Sequence, residues 1–188
     1  MIHGLHHNAY RCRDSEETRM FYEGFLGLPL VHAFEIVQTK TGRETRVPHS
    51  FYQMQDGSCL AFFEVPSSPF DFKDQHDFDL HIALLVDRQT LLKMFELGKA
   101  QGRETRGIAD HGFIESIYFR DPNGYVIELT APTQQAGAIL SKGKLLMRLY
   151  KKSPAQPWCP ATPDLLKART GLQDRVPIAG RHIQGPGD

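Results

Sequence analysis

Asp121-Pro122-Asn123-Gly124-Tyr125-Val126-Ile127-Glu128 is a turn followed by a run of aromatic and β-branched residues that ends on a carboxylate. A degraded copy stands earlier in the chain, Asp56-Gly57-Ser58-Cys59-Leu60-Ala61-Phe62-Phe63. Superposing Gly57 on Gly124 sets Ala61 opposite Glu128. Working backward from each turn, both copies open on a histidine: His7-Asn8-Ala9-Tyr10-Arg11-Cys12 in the first, His81-Ile82-Ala83-Leu84-Leu85-Val86 in the second. Between head and tail each copy carries a stretch of helical periodicity that stops at a glycine, Gly27 or Gly102. Each copy therefore reads as strand, helix, then two or three strands. The repeat offers four equivalent positions, and His7, His81 and Glu128 place potential ligands at three of them. Two imidazoles and one carboxylate brought together by a repeat point to a metal site.

The remaining elements follow from local signals. Asp14 is a helix N-cap with Glu17 set to close a capping box, and Met20, Phe21, Phe25 and Leu26 fall at helical spacing. Residues 31–37 read as a strand and 38–50, being polar, as a mobile loop. The pair 51–54 and 59–65 forms a hairpin across Gln55-Asp56-Gly57, and 66–78 reads as a linker. The second copy offers a helix over 89–101 and strands over 113–119 and 125–130. Beyond Thr130 the character changes, with helices expected at 138–150 and 162–169 and an irregular end. The pentapeptide Gly-Arg-Glu-Thr-Arg occurs at 42–46 and 102–106, out of phase with the repeat, and is treated as coincidence.

Composition narrows the function classes. A chain of 188 residues, 40% hydrophobic, can bury a core, which favours one domain over residues 1–133 and an extension over 134–188. The domain divides into module one, 1–66, and module two, 78–133. Acidic and basic residues balance at 22 each, so no excess charge draws the chain to nucleic acid or an anionic membrane. Cys12, Cys59 and Cys159 are odd in number and lack CxxC spacing, which argues against a disulfide framework or zinc ribbon and for a reducing, cytoplasmic setting. No run has the length and apolarity of a membrane span, and the N-terminus does not read as a signal peptide.

The segments His7 to Leu30, His81 to Asp87 and Ser116-Ile117-Tyr118-Phe119-Arg120-Asp121-Pro122-Asn123-Gly124-Tyr125-Val126-Ile127-Glu128 resemble the vicinal oxygen chelate superfamily. That superfamily includes glyoxalases, extradiol dioxygenases, fosfomycin-resistance enzymes and antibiotic-binding proteins. The resemblance covers residues 4–133 and is most specific in its last segment. It implies an α+β fold of two βαβββ modules whose mixed sheets curl into an open cavity, with a metal on the inner strand faces. Residue by residue, His7 and His81 match the first-strand ligands and Glu128 the last-strand ligand, whereas His6 does not match. A glyoxalase I would carry a carboxylate at both last-strand positions, and here Ala61 occupies the first. Glu64 lies three residues on, so a regular strand points it to the other face.

What remains resembles a triad of two histidines and a carboxylate that leaves coordination positions open for a bidentate substrate and O₂. The leading expectation is an Fe(II)-dependent extradiol-type dioxygenase cleaving a catecholic ring. A redox-neutral isomerase, epimerase or transferase using Mn, Ni, Co or Zn as Lewis acid is the alternative, and a non-catalytic binder of an aromatic or antibiotic ligand is a third reading. Tyr118 and His111 are the candidate catalytic residues, as hydrogen-bond donor and as acid or base. Each has a bland reading beside it: Tyr118 as a core tyrosine with its hydroxyl at the rim, His111 as surface decoration. Phe51, Phe62, Phe63 and Phe113 are the candidate aromatic wall for an aromatic diol. A homodimer is expected, because open sheets need their edges covered.

Overall fold

The computed structural model describes residues 1–74 and 76–137, and the helices expected at 138–150 and 162–169 fall outside them. Module one runs β1 (His7–Cys12), α1 (Ser15–Arg19), a π-helical turn (Met20–Phe25) continuous with it, β2 (Leu30–Gln38), β3 (Glu44–Gln53) and β4 (Cys59–Glu64). Module two repeats the order as β5 (Ile82–Leu85), α2 (Arg88–Ala100), β6 (Thr105–Asp110), β7 (Ile114–Arg120) and β8 (Val126–Pro132). The result is two four-stranded mixed sheets, ordered β1-β4-β3-β2 and β5-β8-β7-β6. No helix among the described residues is long and apolar enough to cross a membrane.

The helices start where short acidic side chains supply acceptors for the first free N–H groups. Asp14 accepts from the Glu17 N–H at 2.8 Å, and Asp87 accepts from the Thr90 N–H at the same distance. Glu17 leaves its capping box half made, because its carboxylate pairs with Arg13 instead. Phe21, Tyr22 and Phe25 are buried, and the last of these meets Phe119 of module two edge-on at 5.1 Å. The first module's helical stretch thus packs on the second module's sheet.

In each module the first strand pairs parallel with the last, and the registers match. Ala9 pairs with Ala61 and Ala83 with Glu128, so His7 and His81 each stand two residues before the matching alanine. The antiparallel partners agree, with Phe51 beside Ala61 and Tyr118 beside Glu128. The repeat read from the turn glycines is therefore also the register of the two sheets.

Two local expectations are corrected. Residues 38–50 are not a loop: only 39–43 turn, and β3 begins at Glu44. Its polar sequence hid a burial pattern that takes in Val47 and His49 on one phase and Ser50 and Tyr52 on the other. Pro48 is tolerated because β3 pairs with β4 only from His49 onward, so no ladder bond to β4 is lost there. The edge strand β6 went unread because Thr105-Arg106-Gly107-Ile108-Ala109-Asp110 is mostly exposed and carries a glycine.

The modules are tied by a buried polar knot at the Asp121 turn. Asp121, 2% exposed, accepts from the Tyr22 hydroxyl at 3.0 Å, the Asn123 N–H at 2.9 Å and the Tyr125 N–H at 2.7 Å. Asn123 reaches back to module one, where its side-chain oxygen accepts from the Arg13 N–H at 2.8 Å. Gly124, at φ 96°, sits so close to the linker that a Cβ there would lie 2.6 Å from the Lys73 nitrogen. Burial raises the Asp121 carboxyl above its ordinary value, against the pull of its hydrogen-bond donors.

Asp121→Ala should lower stability by about 2–4 kcal/mol, because it strands three donors in the interior. Equilibrium urea unfolding measures this, and a change under about 0.5 kcal/mol would contradict the knot's role. The folded carboxyl titrates above its unfolded value, so the native state keeps the proton longer and this group removes stability as pH rises through that interval. The variant should lose that component of the acid-range slope.

Candidate functional site

On module two the inner face gathers the strand-end groups that the repeat predicted. His81, directly before β5, and Glu128 in β8 approach to 3.1 Å between Nε2 and Oε2. The His81 Nδ1 lies 2.8 Å from the Asp77 carbonyl oxygen, which can only accept, so Nδ1 carries the proton. Nε2 therefore faces a carboxylate oxygen with Nδ1 already committed, and an imidazole nitrogen and a carboxylate oxygen stand this close stably only across a proton or a cation. Ligands on bonds of about 2.1 Å at right angles stand about 3 Å apart, so the donor pair fits a divalent cation. Glu128, 5% exposed, is aimed by neighbours on the next strand: Ser116 donates to Oε1 at 2.5 Å and the Tyr118 hydroxyl at 3.4 Å.

Tyr118 and His111 belong to the same assembly. The His111 Nε2 lies 3.1 Å from the Tyr118 hydroxyl, which extends the polar chain from Glu128 to an exposed imidazole. The Tyr118 phenol is raised above its ordinary value, first by burial and then by the Glu128 charge. It remains a hydrogen-bond donor across the neutral range.

His7 stands apart from this pair. Its ring contacts are to His6, His49 and Phe51, with centroids at 5.0, 6.4 and 5.4 Å. Among the described residues no three His, Cys, Asp or Glu side chains group tightly enough to hold a metal ion. The expectation that one chain folds all three ligands onto one point is corrected accordingly. His7 heads the first strand of one sheet, while His81 and Glu128 lie on the other. Glu64, the residue nearest to a fourth ligand in sequence, is committed to the helical side, where it accepts from the Ser15 N–H at 2.8 Å.

Around His7 lies a surface of rings. His49 is stacked on Phe63 at 3.7 Å and 11°, with Phe51 at 4.3 Å and Phe34 at 5.3 Å. Its Nδ1 lies 3.0 Å from the Phe62 carbonyl, which makes Nδ1 the donor and leaves Nε2 as a lone pair. Burial lowers its pKa, so the ring is neutral at physiological pH. His32 flanks Phe34 and Phe51 at 5.4 and 6.1 Å. Of the aromatic wall read from sequence, Phe51 and Phe63 are here. Phe62 instead faces the core against Tyr22 at 4.6 Å. Phe113 is half-buried in the turn between β6 and β7. His49 escapes a reading of 38–50 as a loop, whereas His32 and Phe34 lie in the strand expected over 31–37, whose sequence does not say which of its faces meets the rings of β3. The alternation His49, Phe51 two places before the hairpin would have shown two rings on one face.

Paired βαβββ modules with matching strand registers define the vicinal oxygen chelate fold. The chain belongs to the glyoxalase/bleomycin resistance protein/dioxygenase superfamily, whose family model matches residues 4–129. None of the curated proteins matches it. Among solved structures, the fosfomycin resistance protein FosX from Listeria monocytogenes, in complex with Mn(II) and sulfate, is similar at 22% identity and a TM-score of 0.54. That match covers 73% of this chain and 99% of FosX. A glyoxalase/dioxygenase from Nostoc punctiforme aligns at 23% identity and TM-score 0.52, over 70% of this chain and 92% of its own. FosX from Mesorhizobium loti aligns at 22% and 0.52, over 74% and 99%.

Proposed function

We propose that the protein is a divalent-metal enzyme whose ligands are His7, His81 and Glu128, and that it acts on a catecholic substrate as an extradiol-type dioxygenase. The observation that carries the reading is the His81–Glu128 pair, with an imidazole nitrogen and a carboxylate oxygen turned on each other at 3.1 Å. His7 and His81 are both exposed, so each half-site is open on the face that would receive the third ligand. A homodimer supplies it: His7 of one copy meets His81 and Glu128 of the other, and a twofold axis makes two such sites.

Fe(II) in that position would hold a catechol and O₂ side by side and relay between them the electrons that the catechol itself gives up on ring cleavage. The protein's own groups do the rest. The rings of Phe34, Phe51 and Phe63 bind a flat aromatic by edge and face contacts. The neutral His49 accepts a substrate hydroxyl proton at Nε2, the only ring nitrogen left free. Tyr118 donates a hydrogen bond from the Glu128 side, and His111 can replace its proton.

A second reading keeps the site and changes the chemistry. The Listeria FosX of like fold holds Mn(II), which favours a redox-neutral reaction with Mn, Ni, Co or Zn as Lewis acid and His49 still as base. Oxygen consumption separates the two. Iron-loaded protein should take up O₂ with members of a catechol panel, and uptake at background across the panel rules out the dioxygenase.

His81→Ala should lower bound metal severalfold or more with the fold retained, as loss of a ligand does; parental stoichiometry by elemental analysis would remove His81 from the site. Mixing unfolded His7→Ala with His81→Ala and refolding should restore about a quarter of the parental sites, because half the dimers are mixed and each has one intact site. No recovery means that the ligands come from a single copy. His49→Leu should leave metal content intact and slow turnover by about 10²–10⁴, measured as kcat. An unchanged rate returns His49 to a packing role.

A further inference from the structure

His81 takes its orientation from a segment that lies outside every helix and strand. The Asp77 carbonyl that fixes its tautomer belongs to the linker, where residues 65–74 and 76–81 form neither helix nor strand. What grips Asp77 is an arginine on the far edge of the module-two sheet. Arg106 Nη1 lies 2.6 Å from Asp77 Oδ2. Arg106 is the strand partner of Tyr118, and its guanidinium carbon stands 5.5 Å from the centre of the Tyr118 ring. Tyr118 in turn donates to Glu128. One guanidinium therefore touches the neighbour that orients His81 and the neighbour that steers Glu128. Glu104, 3.5 Å from the Arg106 Nε, braces it from the other side.

We infer that Arg106 is a positioning residue for the metal site, acting through Asp77 to hold His81 in its Nδ1–H tautomer with Nε2 aimed at Glu128. The inference rests on the reading of His81 as a ligand. Its geometry is that of a ligating histidine whose distal nitrogen is fixed by an outer partner, and such partners tune affinity without touching the ion. Arg106 and Asp77 are 42% and 25% exposed, so their ion pair adds little to global stability and its removal leaves the fold intact. Sign separates positioning from simple electrostatics. Deleting a positive charge near a cation site should by itself strengthen cation binding, whereas loosening the His81 ring weakens it.

The test uses the full chain and two readouts. In metal-free protein, ring NMR of His81 should show one sharp, ordered set of signals in the parent and exchange-broadened or multiple sets in Arg106→Ala. Mn²⁺ affinity by calorimetry should fall about 10–100-fold in Arg106→Ala. Arg106→Lys should recover part of it, since the charge returns without the planar fork. Asp77→Asn should reproduce the loss, and the double variant should be no worse than either single one. A parental ring spectrum and affinity in Arg106→Ala, or tighter binding there, overturns the inference. If the parent takes up no Mn²⁺ or Fe²⁺, the metal reading fails, and the ring signals of the metal-free protein still decide whether the clamp exists.

Discussion

Everything in the site depends on the parallel pairing of each module's first strand with its last. Side chains alternate along a strand, so a one-residue slip between β5 and β8 would turn Glu128 to the opposite face from His81. The observed register pairs Ala83 with Glu128 and leaves the histidine two places upstream on the same face. A small residue beside the carboxylate matters too: a larger side chain at Ala83 would stand between Glu128 and the open side of the sheet. Ala9 beside Ala61 repeats the arrangement in module one with no carboxylate to uncover. The pairing is anchored from behind, where Ile82, Leu84, Ile127 and Leu129 are buried. Hydrophobic burial thus sets the register, and the register sets the chemistry.

The two inner faces have diverged in kind. Module two carries an acceptor-rich set, Glu128 with Ser116, Thr130 and Tyr118, that suits a cation. Module one carries Phe34, Phe51, Phe63 and a neutral His49, which suits a flat organic group. The register makes this exchange explicit: Phe51 stands where Tyr118 stands, and Ala61 where Glu128 stands. A second carboxylate at Ala61 would have placed charge beside the aromatic rings, and its desolvation would have opposed stacking there.

How much of this the sequence made legible follows from which signals were local. Turn glycines and capping residues are local, so the repeat, both helix starts and the equivalence of His7 with His81 could be read before any coordinates. The polar strands β3 and β6 could not. Thr45 and Arg46 look like loop residues until β2 is beside them, and only pairing with β2 and β4 reveals that His49 is buried. His111 had no sequence pattern at all, because its contact with Tyr118 arises from the tight turn at Gly112 folding β6 back on β7. The Gly-Arg-Glu-Thr-Arg repetition had a pattern without equivalence: its first copy runs into β3 and its second into β6, which are not counterparts in the two modules.

Convergence of His7 with His81 and Glu128 was the step that sequence alone could not secure. A repeat specifies equivalence within modules, but it does not specify which module faces which. Here α1 and the Asp121 knot decide the matter, because they dock the modules through the helical side of one and the hairpin end of the other. That docking spends the apolar surfaces of both modules on each other while leaving the imidazole-bearing faces exposed. The site proposed above therefore asks a second copy for its third ligand. The buried contacts that stabilise a single chain are, on that proposal, the same ones that leave His7 turned away from His81 and Glu128.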